Sequence, residues 1–435
     1  MTLYETISHY RNNRRVLLLI VYIALFLDNM LLTTVVPIIP EYLLRISHPN
    51  TTDLLLYNKP SDDHEIEKRQ GSLMYKLLPR SQMRPTSEPE IPSSYQQSER
   101  HEILARENVL VGIMFGSKAL VQLVANPWIG PLTNKIGYTL PMFAGFVIMF
   151  LSTLLFAFGS SYGTLWFARA MQGIGSACTS TSGMGMLAQA YPDDAERGSA
   201  MGIALGGLAL GVLVGPPYGG VLYQWAGKEL PFILLALLAL FDGSLQFVVL
   251  QPKVDRGEPE GSTIKQLAKD PYIIVAAGLR FSQIFRRSIS PRCHRSRFFR
   301  WLSAFIGLLV IGFCLLSIPS ATSVTGLIFP HLFMGFSIGM IDASMFPLMG
   351  YLVDLRHVGV YGSIYAIADA AFCFAFALGP FFSGPLVKSV GFPTMMYLIA
   401  IINFAYAPLM FLLRNPPPIN HEEFACRVSF ISQCC

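Results

Sequence analysis

The sequence predicts an all-α polytopic membrane protein, and two observations support this prediction. The first is composition: of 435 residues, 52% are hydrophobic and 14% are charged, whereas soluble domains carry about 25% charged residues. The second is distribution, because the charges gather between long apolar runs. A run of roughly 20 apolar residues can cross a bilayer as a helix, and this chain contains many such runs.

Ten runs are long enough to be membrane spans. They lie at residues 16–39, 108–131, 139–159, 162–188, 199–223, 230–250, 301–318, 323–351, 359–386 and 392–413. Lys and Arg are enriched in the short cytoplasmic segments of membrane proteins. Arg14 and Arg15 precede the first span and Arg414 follows the last, so we expect both termini to be cytoplasmic. Residues 40–107 then form a long polar loop on the lumenal side, with a candidate glycosylation site at Asn50.

A basic segment at 280–300 interrupts this pattern, because it holds seven arginines and no apolar run. The short apolar stretch before it, at 270–278, cannot span a bilayer as a helix. We interpret residues 251–300 as a cytoplasmic linker, since six spans precede it and four follow. The net charge of +5 comes without a basic helix interleaved with aromatic residues, so we do not expect nucleic acid as a partner.

Ionisable residues inside the spans indicate a polar cavity. Asp28 lies in the middle of the first span. In the second span, Gln122 and Asn126 follow Lys118 at i+4 and i+8, which places one polar stripe on one helix face. A charge within a membrane is costly unless it is paired or hydrated. Further intramembrane charges are Arg169, Asp242, Asp342 and Asp369. Together these residues predict a charge network around a wet cavity, with isolated structural ion pairs as the alternative.

The chemistry of such a network favours exchange. A carboxylate in a low-dielectric cavity can hold a proton near neutral pH, or it can attract an organic cation beside aromatic rings such as those of Phe372 or Tyr365. One pH unit supplies about 1.4 kcal/mol per proton, and 100 mV supplies about 2.3 kcal/mol per charge. The sequence contains no GxxxxGK[ST] phosphate-binding loop, nucleophile–base pair or metal-ligand set. It therefore predicts a secondary transporter rather than an enzyme, with no cofactor and no metal.

The fifth span carries a glycine-rich face. Gly211, Gly215 and Gly219 recur at four-residue spacing, and Pro216 bends the helix beside them. A helix face without side chains lets a second backbone approach closely. We expect helix packing at this face and, as a further hypothesis, a gating contact between moving halves.

Several stretches resemble the vesicular monoamine transporters, in the drug:proton antiporter branch of the major facilitator superfamily. They are LDNMLLTTVVPIIP at 27–40, FGSKALVQLVANPWIGPLTNKIGY at 115–138, GIALGGLALGVLVGPP at 202–217 and SIGMIDASMFPLMGYLVDLRHVGVYGSIYAIADAAFC at 337–373. The resemblance covers most of the chain and implies the major facilitator fold, with twelve helices in two six-helix bundles. Here most of the seventh helix and all of the eighth are replaced, which leaves about ten spans.

The resemblance also implies a domain layout. Residues 1–15 form a cytoplasmic N-terminus, 16–250 the N-terminal bundle, 301–414 an incomplete C-terminal bundle, and 415–435 a cytoplasmic tail. The acid that the family carries in its seventh helix is absent from this chain.

The resemblance assigns roles to individual residues. Asp28 and Asn29 would meet the substrate ammonium, Lys118 would pair with Asp369, and Asp342 and Asp369 would take part in proton coupling. The other residues of the implied binding site and charge network are Asn126, Arg169, Asp342 and Phe372, and Arg356 and His357 read as gating or topology residues.

These expectations define a function. The chain would be a proton-coupled antiporter in the membrane of synaptic or secretory vesicles, loading a monoamine such as serotonin, dopamine or histamine by alternating access. One alternative is a vesicular transporter of acetylcholine or another organic cation. The other is a truncated, non-transporting isoform or a faulty gene model, because residues 280–300 interrupt the resemblance.

Overall fold

The computed structural model describes residues 13–47, 93–251, 264–281, 297–321, 323–357 and 361–414, which are almost entirely helical. The helices are α1 (Arg14–Ser47), α2 (Ser93–Ile136), α3 (Thr139–Phe158), α4 (Tyr162–Ala190), α5 (Asp194–Ala226), α6 (Glu229–Leu250), α7 (Ile264–Leu267), α8 (Pro271–Phe281), α9 (Arg297–Ser317), α10 (Val324–Arg356), α11 (Gly362–Val390) and α12 (Phe392–Tyr406). Two 3₁₀ helices, Ile318–Ser320 and Ala407–Leu413, follow α9 and α12.

Nine helices in these described ranges are long and apolar enough to cross a membrane, and they match nine of the ten predicted spans. The tenth predicted span, at 162–188, forms α4, a helix of 29 residues. Its many Gly, Ser and Thr residues lower its hydropathy. Most of α4 from Leu165 to Ala188 is buried, so its polar side chains face neighbouring helices.

Two predicted boundaries were wrong. Helix α1 continues to Ser47 and α2 begins at Ser93, so helix replaces both ends of the loop predicted at 40–107. The helical turns that extend beyond these two spans are polar, so hydropathy could not distinguish them from a loop. The predicted linker at 251–300 is also partly helical, because it contains α7, α8 and the start of α9. Asn50, the arginine-rich residues 282–296 and the tail from 415 lie outside the described residues.

Helix α8 is too short to cross a bilayer, as predicted. Its 11 residues extend about 16 Å at 1.5 Å per residue, roughly half of a 30 Å hydrocarbon core. It packs against α10 and α11.

Local signals fix the ends of the spans. The Ser161 Oγ accepts a hydrogen bond from the Thr164 N–H at 3.3 Å, and Thr164 Oγ1 accepts one from the Ser161 N–H, which is a capping box at the start of α4. Asp193 caps α5 through the Glu196 N–H at 3.0 Å. Between α2 and α3 the chain reverses at Gly137, whose φ of 84° is open to glycine at no steric cost.

The glycine face of α5 packs against α1, as predicted. A Cβ at Gly211 would overlap the carbonyl oxygen of Phe26, and a Cβ at Gly219 would lie 2.6 Å from the carbonyl oxygen of Thr34. Thr33 Oγ1 donates a hydrogen bond to the Gly211 carbonyl oxygen at 3.3 Å. The two backbones are therefore close enough that side chains on this face of α5 would push them apart.

Several pairs of described helices join the N-terminal and C-terminal halves, among them α2 with α11, where Gln122 donates to Asp369. Helix α4 packs on α11, and α5 packs on α10. Within the halves, α3 packs on α4 and α6, and α9 packs on α10 and α12. These contacts place α11 beside the helices that carry the intramembrane charges of the N-terminal half.

Candidate functional site

A cavity lies among helices from both halves of the chain. About 60 Å³ of this cavity is open to water-sized molecules, which is enough space for a few waters. Its walls combine charged and amide side chains with phenyl rings: Asp28, Asn29, Lys118, Gln122, Asp369, Phe115, Phe372 and Phe376. All of its described lining residues come from α1, α2, α4, α5 and α11. The cavity therefore draws no described wall from the shortened α8.

Asp28 is the central carboxylate of this cavity. Its Oδ1 atom lies 2.9 Å from Lys118 Nζ, and the two side chains are 8% and 5% exposed. The Ser176 hydroxyl donates a second hydrogen bond to the same oxygen. Because the ion pair is almost fully buried, removal of either charge would strand the other in a low-dielectric medium.

Asp369 lies on the opposite wall and is held by amides. Its Oδ2 atom accepts hydrogen bonds of 2.8 Å from Gln122 Nε2 and from Asn126 Nδ2. The polar stripe predicted on α2 is therefore real, but the pairing predicted for it was wrong. Lys118 forms its ion pair with Asp28 instead of Asp369, because the next two turns of the stripe are the ones that reach α11.

Arg169 is buried on α4 and contacts residues of α1 and α2 beside the cavity. Its guanidinium donates to Gln172 Oε1 at 2.6 Å and to the carbonyl oxygen of Leu32 at 3.2 Å. It also lies 5.8 Å from the centre of the Phe115 ring. Arg169 thus connects α4 to α1 and to a wall of the cavity.

The remaining predicted residues fall in two groups. Asn29 and Phe372 line the cavity, and the Asn29 amide donates to the Leu25 carbonyl oxygen at 2.9 Å. Asp342 lies on α10 and is not among the described residues that line this cavity. Its role in substrate binding and proton coupling therefore stays a prediction.

A polar cluster that sequence reasoning did not find joins the start of α5 to the end of α10. Arg197, at the start of α5, lies 2.8 Å from Asp354 at the end of α10 and 3.2 Å from Asp194. Arg197 also donates to the Tyr361 hydroxyl at 3.2 Å, and that hydroxyl donates to Asp354 at 2.6 Å. Burial, together with the neighbouring Asp354 carboxylate, raises the pKa of Tyr361 to about 12, so the hydroxyl keeps its proton at neutral pH.

Two further contacts join helix ends. Asn134 Nδ2 donates to Ser363 Oγ at 2.9 Å, which links the end of α2 to the start of α11. Asp270 lies 2.7 Å from Arg356 and 3.1 Å from His357, which ties the start of α8 to the end of α10. Arg356 and His357 were predicted as gating or topology residues, whereas nothing in the sequence linked them to Asp270, because only the fold brings the three together.

The described residues contain no group of His, Cys, Asp or Glu that could hold a metal ion. What the cavity can do follows from its charges. Two carboxylates and one ammonium line it, so a bound cation or proton would balance the remaining negative charge. A buried charged cavity shared by two sets of helices is the arrangement of a secondary transporter of the major facilitator type.

Comparison with known proteins identifies the family. The model of the Major Facilitator Superfamily matches residues 18–287. The synaptic vesicular amine transporter of Rattus norvegicus is 46% identical over 462 residues, which cover 94% of this chain and 89% of the relative. The vesicular acetylcholine transporter of Drosophila melanogaster is 37% identical over 456 residues, which cover 95% and 74%. The chain belongs to the Major Facilitator Superfamily and, within it, to the vesicular amine transporters.

A solved structure supports the fold. The human organic anion transporter MFSD10 matches with a TM-score of 0.65 at 13% identity, over 92% of this chain and 99% of that one. At this identity the likeness concerns the architecture alone.

Proposed function

We propose that this protein is a proton-coupled antiporter that loads cationic monoamines from the cytoplasm into acidic vesicles. The observation that carries the proposal is Asp28, a buried carboxylate at a cavity that Phe115 and Phe372 also line. An ammonium ion is bound by a carboxylate and stabilised by aromatic faces. The cavity offers a carboxylate and aromatic rings, and the relatives of this chain include a synaptic vesicular amine transporter.

The charge balance of the cavity explains how one site can exchange two ligands. Asp28 and Asp369 contribute two negative charges when ionised, and Lys118 contributes one positive charge. A buried uncompensated charge is strongly unfavourable. Either a cationic amine or a proton restores neutrality, so binding of one favours release of the other. This competition is the minimum requirement for antiport.

Alternating access would expose the binding site to the cytoplasm and to the lumen in turn. Arg197, Asp354 and Asn134 lie at the helix ends for which Arg14 and Lys135 predict a cytoplasmic location. With this orientation, these contacts would close the cytoplasmic side. Opening them would expose Asp28 to the cytoplasm, where amine binds, and closure would return it to the acidic lumen, where protons displace the amine.

The direct test is uptake of labelled serotonin or dopamine into acidified vesicles that contain the full chain. We expect uptake that disappears when the proton gradient is collapsed. Gradient-independent accumulation would contradict antiport, and correct membrane insertion without uptake would favour the non-transporting alternative. Excess acetylcholine serves as competitor: if it competes better than serotonin, the organic cation alternative replaces the monoamine proposal.

The variant Asp28→Asn tests the binding residue. It keeps the size of the side chain but removes the charge, so we expect uptake and amine binding to fall at least tenfold, which corresponds to about 1.4 kcal/mol. The matched control is Glu41→Gln, an acid on the same helix whose partner is Arg45 at 2.7 Å, and it should transport normally. Equal loss in both variants, or full uptake by Asp28→Asn, would refute the role of Asp28.

A further inference from the structure

A second cavity lies on another side of Asp28, inside the N-terminal half. It lies among α1, α3, α4 and α6, and about 30 Å³ of it is open to water-sized molecules. Asp28, Thr153, Thr179 and Gln246 form its polar lining, and Phe146 is part of its apolar wall. Asp28 therefore belongs to two cavities, of which only the first contains Lys118 and Asp369.

Asp242 lies on the α6 face that borders this second cavity. Residues Leu235, Ala239 and Gln246 of α6 line the cavity, and Asp242 shares their face because it lies three residues after Ala239 and four before Gln246. Gln246 Nε2 donates to Asp242 Oδ2 at 2.7 Å. Asp242 is 3% exposed, and none of the roles assigned above uses it.

Three polar atoms at this place have unused hydrogen-bonding capacity. Asp242 Oδ1, Gln246 Oε1 and Thr179 Oγ1 are buried and have no hydrogen-bond partner within the described part of the chain. Leaving a buried acceptor unsatisfied costs about 1–3 kcal/mol. A carboxyl that gains a proton becomes a donor as well as an acceptor, and the open space of this cavity can also hold water, for which roughly 10–15 Å³ suffices.

The surroundings of Asp242 offer it no fixed cation. No Lys, Arg or His of the described residues forms an ion pair with it, and the lining residues from α3 and α4 are uncharged. The titratable group that α1 brings to the cavity is Asp28. A buried carboxylate without a cation is unfavourable, so a mobile positive charge is the ligand that this site fits.

We propose that Asp242 and Gln246 form a second proton site, coupled to amine binding through the cavity that they share with Asp28. The inference rests on the proposed antiport function. When a proton binds, an O–H bond forms on the Asp242 carboxylate and the carboxyl becomes neutral. When the proton leaves, that bond breaks and the proton passes to cavity water.

The coupling is electrostatic and reciprocal. An amine that binds at Asp28 adds a positive charge beside the shared cavity, which stabilises ionised Asp242 and drives release of its proton. By linkage, a proton on Asp242 weakens amine binding by the same factor. In an acidic lumen this site therefore helps to expel the amine, and at the cytoplasmic pH it helps to retain it.

The test counts protons released into a weakly buffered solution when purified full-length protein binds serotonin. We expect Asp242→Asn to bind serotonin but to release about one proton fewer per amine than the wild-type protein. The matched control is Ser244→Ala, an exposed position on the same helix whose hydroxyl donates to the Leu240 carbonyl oxygen, and it should release the wild-type number. Equal proton release by Asp242→Asn and wild type would overturn the proposal.

A second measurement needs no amine and keeps the two proposals separable. Infrared spectra of the wild-type protein should show a protonated carboxyl band that is lost as the pH rises. Asp242→Asn should remove this band, and Asp242→Glu, which keeps an acid, should shift it. A band unchanged in both variants would refute the proton site, whereas absence of serotonin binding by wild type would refute the proposed function instead.

Discussion

At the scale of the residue, Lys118 determines how Asp28 is held in a hydrocarbon environment. The ion pair is nearly fully buried, and such pairs contribute little net stability yet are costly to break. Removal of one partner costs about 3–5 kcal/mol, because the other charge is left uncompensated.

A double-mutant cycle tests this pairing. Lys118→Gln should lower the thermal stability of the purified protein, since Asp28 then lacks its cation. Addition of Asp28→Asn to Lys118→Gln should restore part of the loss, with a coupling energy of about 1–3 kcal/mol. Addition of Asp369→Asn serves as the control and should restore less. If Asp369→Asn rescued Lys118→Gln better than Asp28→Asn did, the Lys118–Asp369 pairing implied by the sequence resemblance would be the correct one.

The partners of these residues could not be read from the sequence. The spacing of Lys118, Gln122 and Asn126 identified a polar face on α2, because helical periodicity is a local property. Which turn meets Asp28 and which meets Asp369 depends on the rotation and height of α2 relative to α1 and α11. Those quantities are set by packing over the whole helix, so the resemblance placed Lys118 in the right cavity with the wrong partner.

At the scale of the element, the contact between α1 and α5 positions Asp28. The carbonyl oxygen of Met30 lies 3.0 Å from where a Cβ at Gly215 would be, and Thr33 Oγ1 is closer still. Thr34 Oγ1 donates to the Gly215 carbonyl oxygen at 3.4 Å. Close approach of the two helices therefore requires that this position carry no side chain.

Substitution of Gly215 tests the requirement. Gly215→Ala should lower stability by about 1–3 kcal/mol, the usual cost of overpacking, and should weaken amine binding by displacing α1. Gly202→Ala is the matched control, because a Cβ at Gly202 would meet open space. Alanine favours a helix over glycine by up to about 1 kcal/mol, so this control should be neutral or stabilising. Thermal unfolding of both variants measures the difference, and equal stabilities would contradict the packing role.

Which elements exist was predictable, but where they end was not always so. A span such as α3 is apolar along its length, so hydropathy located it within one residue at either end. Helices α1 and α2 extend beyond their apolar segments to Ser47 and from Ser93, where the sequence is polar. Hydropathy identifies the part of a helix that lies in the membrane and not the polar turns beyond it, which explains why the predicted loop was too long.

At the scale of the whole molecule, transport requires that the contacts proposed to close the cytoplasmic side break and form again. Arg197 of α5 and Asp354 of α10 join the two sets of helices there. Arg197 is 1% exposed, so its interactions are weakly screened. Asn134 and Ser363 add a neutral hydrogen bond at the same end, which contributes only about 0.5–1.5 kcal/mol. The Arg197 cluster therefore contributes more than the Asn134–Ser363 hydrogen bond to holding this end together.

Asp354→Asn should shift the protein towards the state in which this end is open. The variant loses the charge that binds Arg197 but keeps an amide of similar size, and a hydrogen bond to a charged group contributes about 1.5–3 kcal/mol. The open population should therefore rise roughly 10- to 100-fold, which labelling of a cysteine introduced at Ser363 by a membrane-impermeant reagent can measure. Glu196→Gln is the matched control, because Glu196 is exposed and lies 3.8 Å from Arg14 instead of joining the Arg197 cluster. If Asp354→Asn labelled no faster than this control, Arg197 would not keep this end closed, and the Asn134–Ser363 hydrogen bond between α2 and α11 would remain as a contact that joins the two sets of helices there.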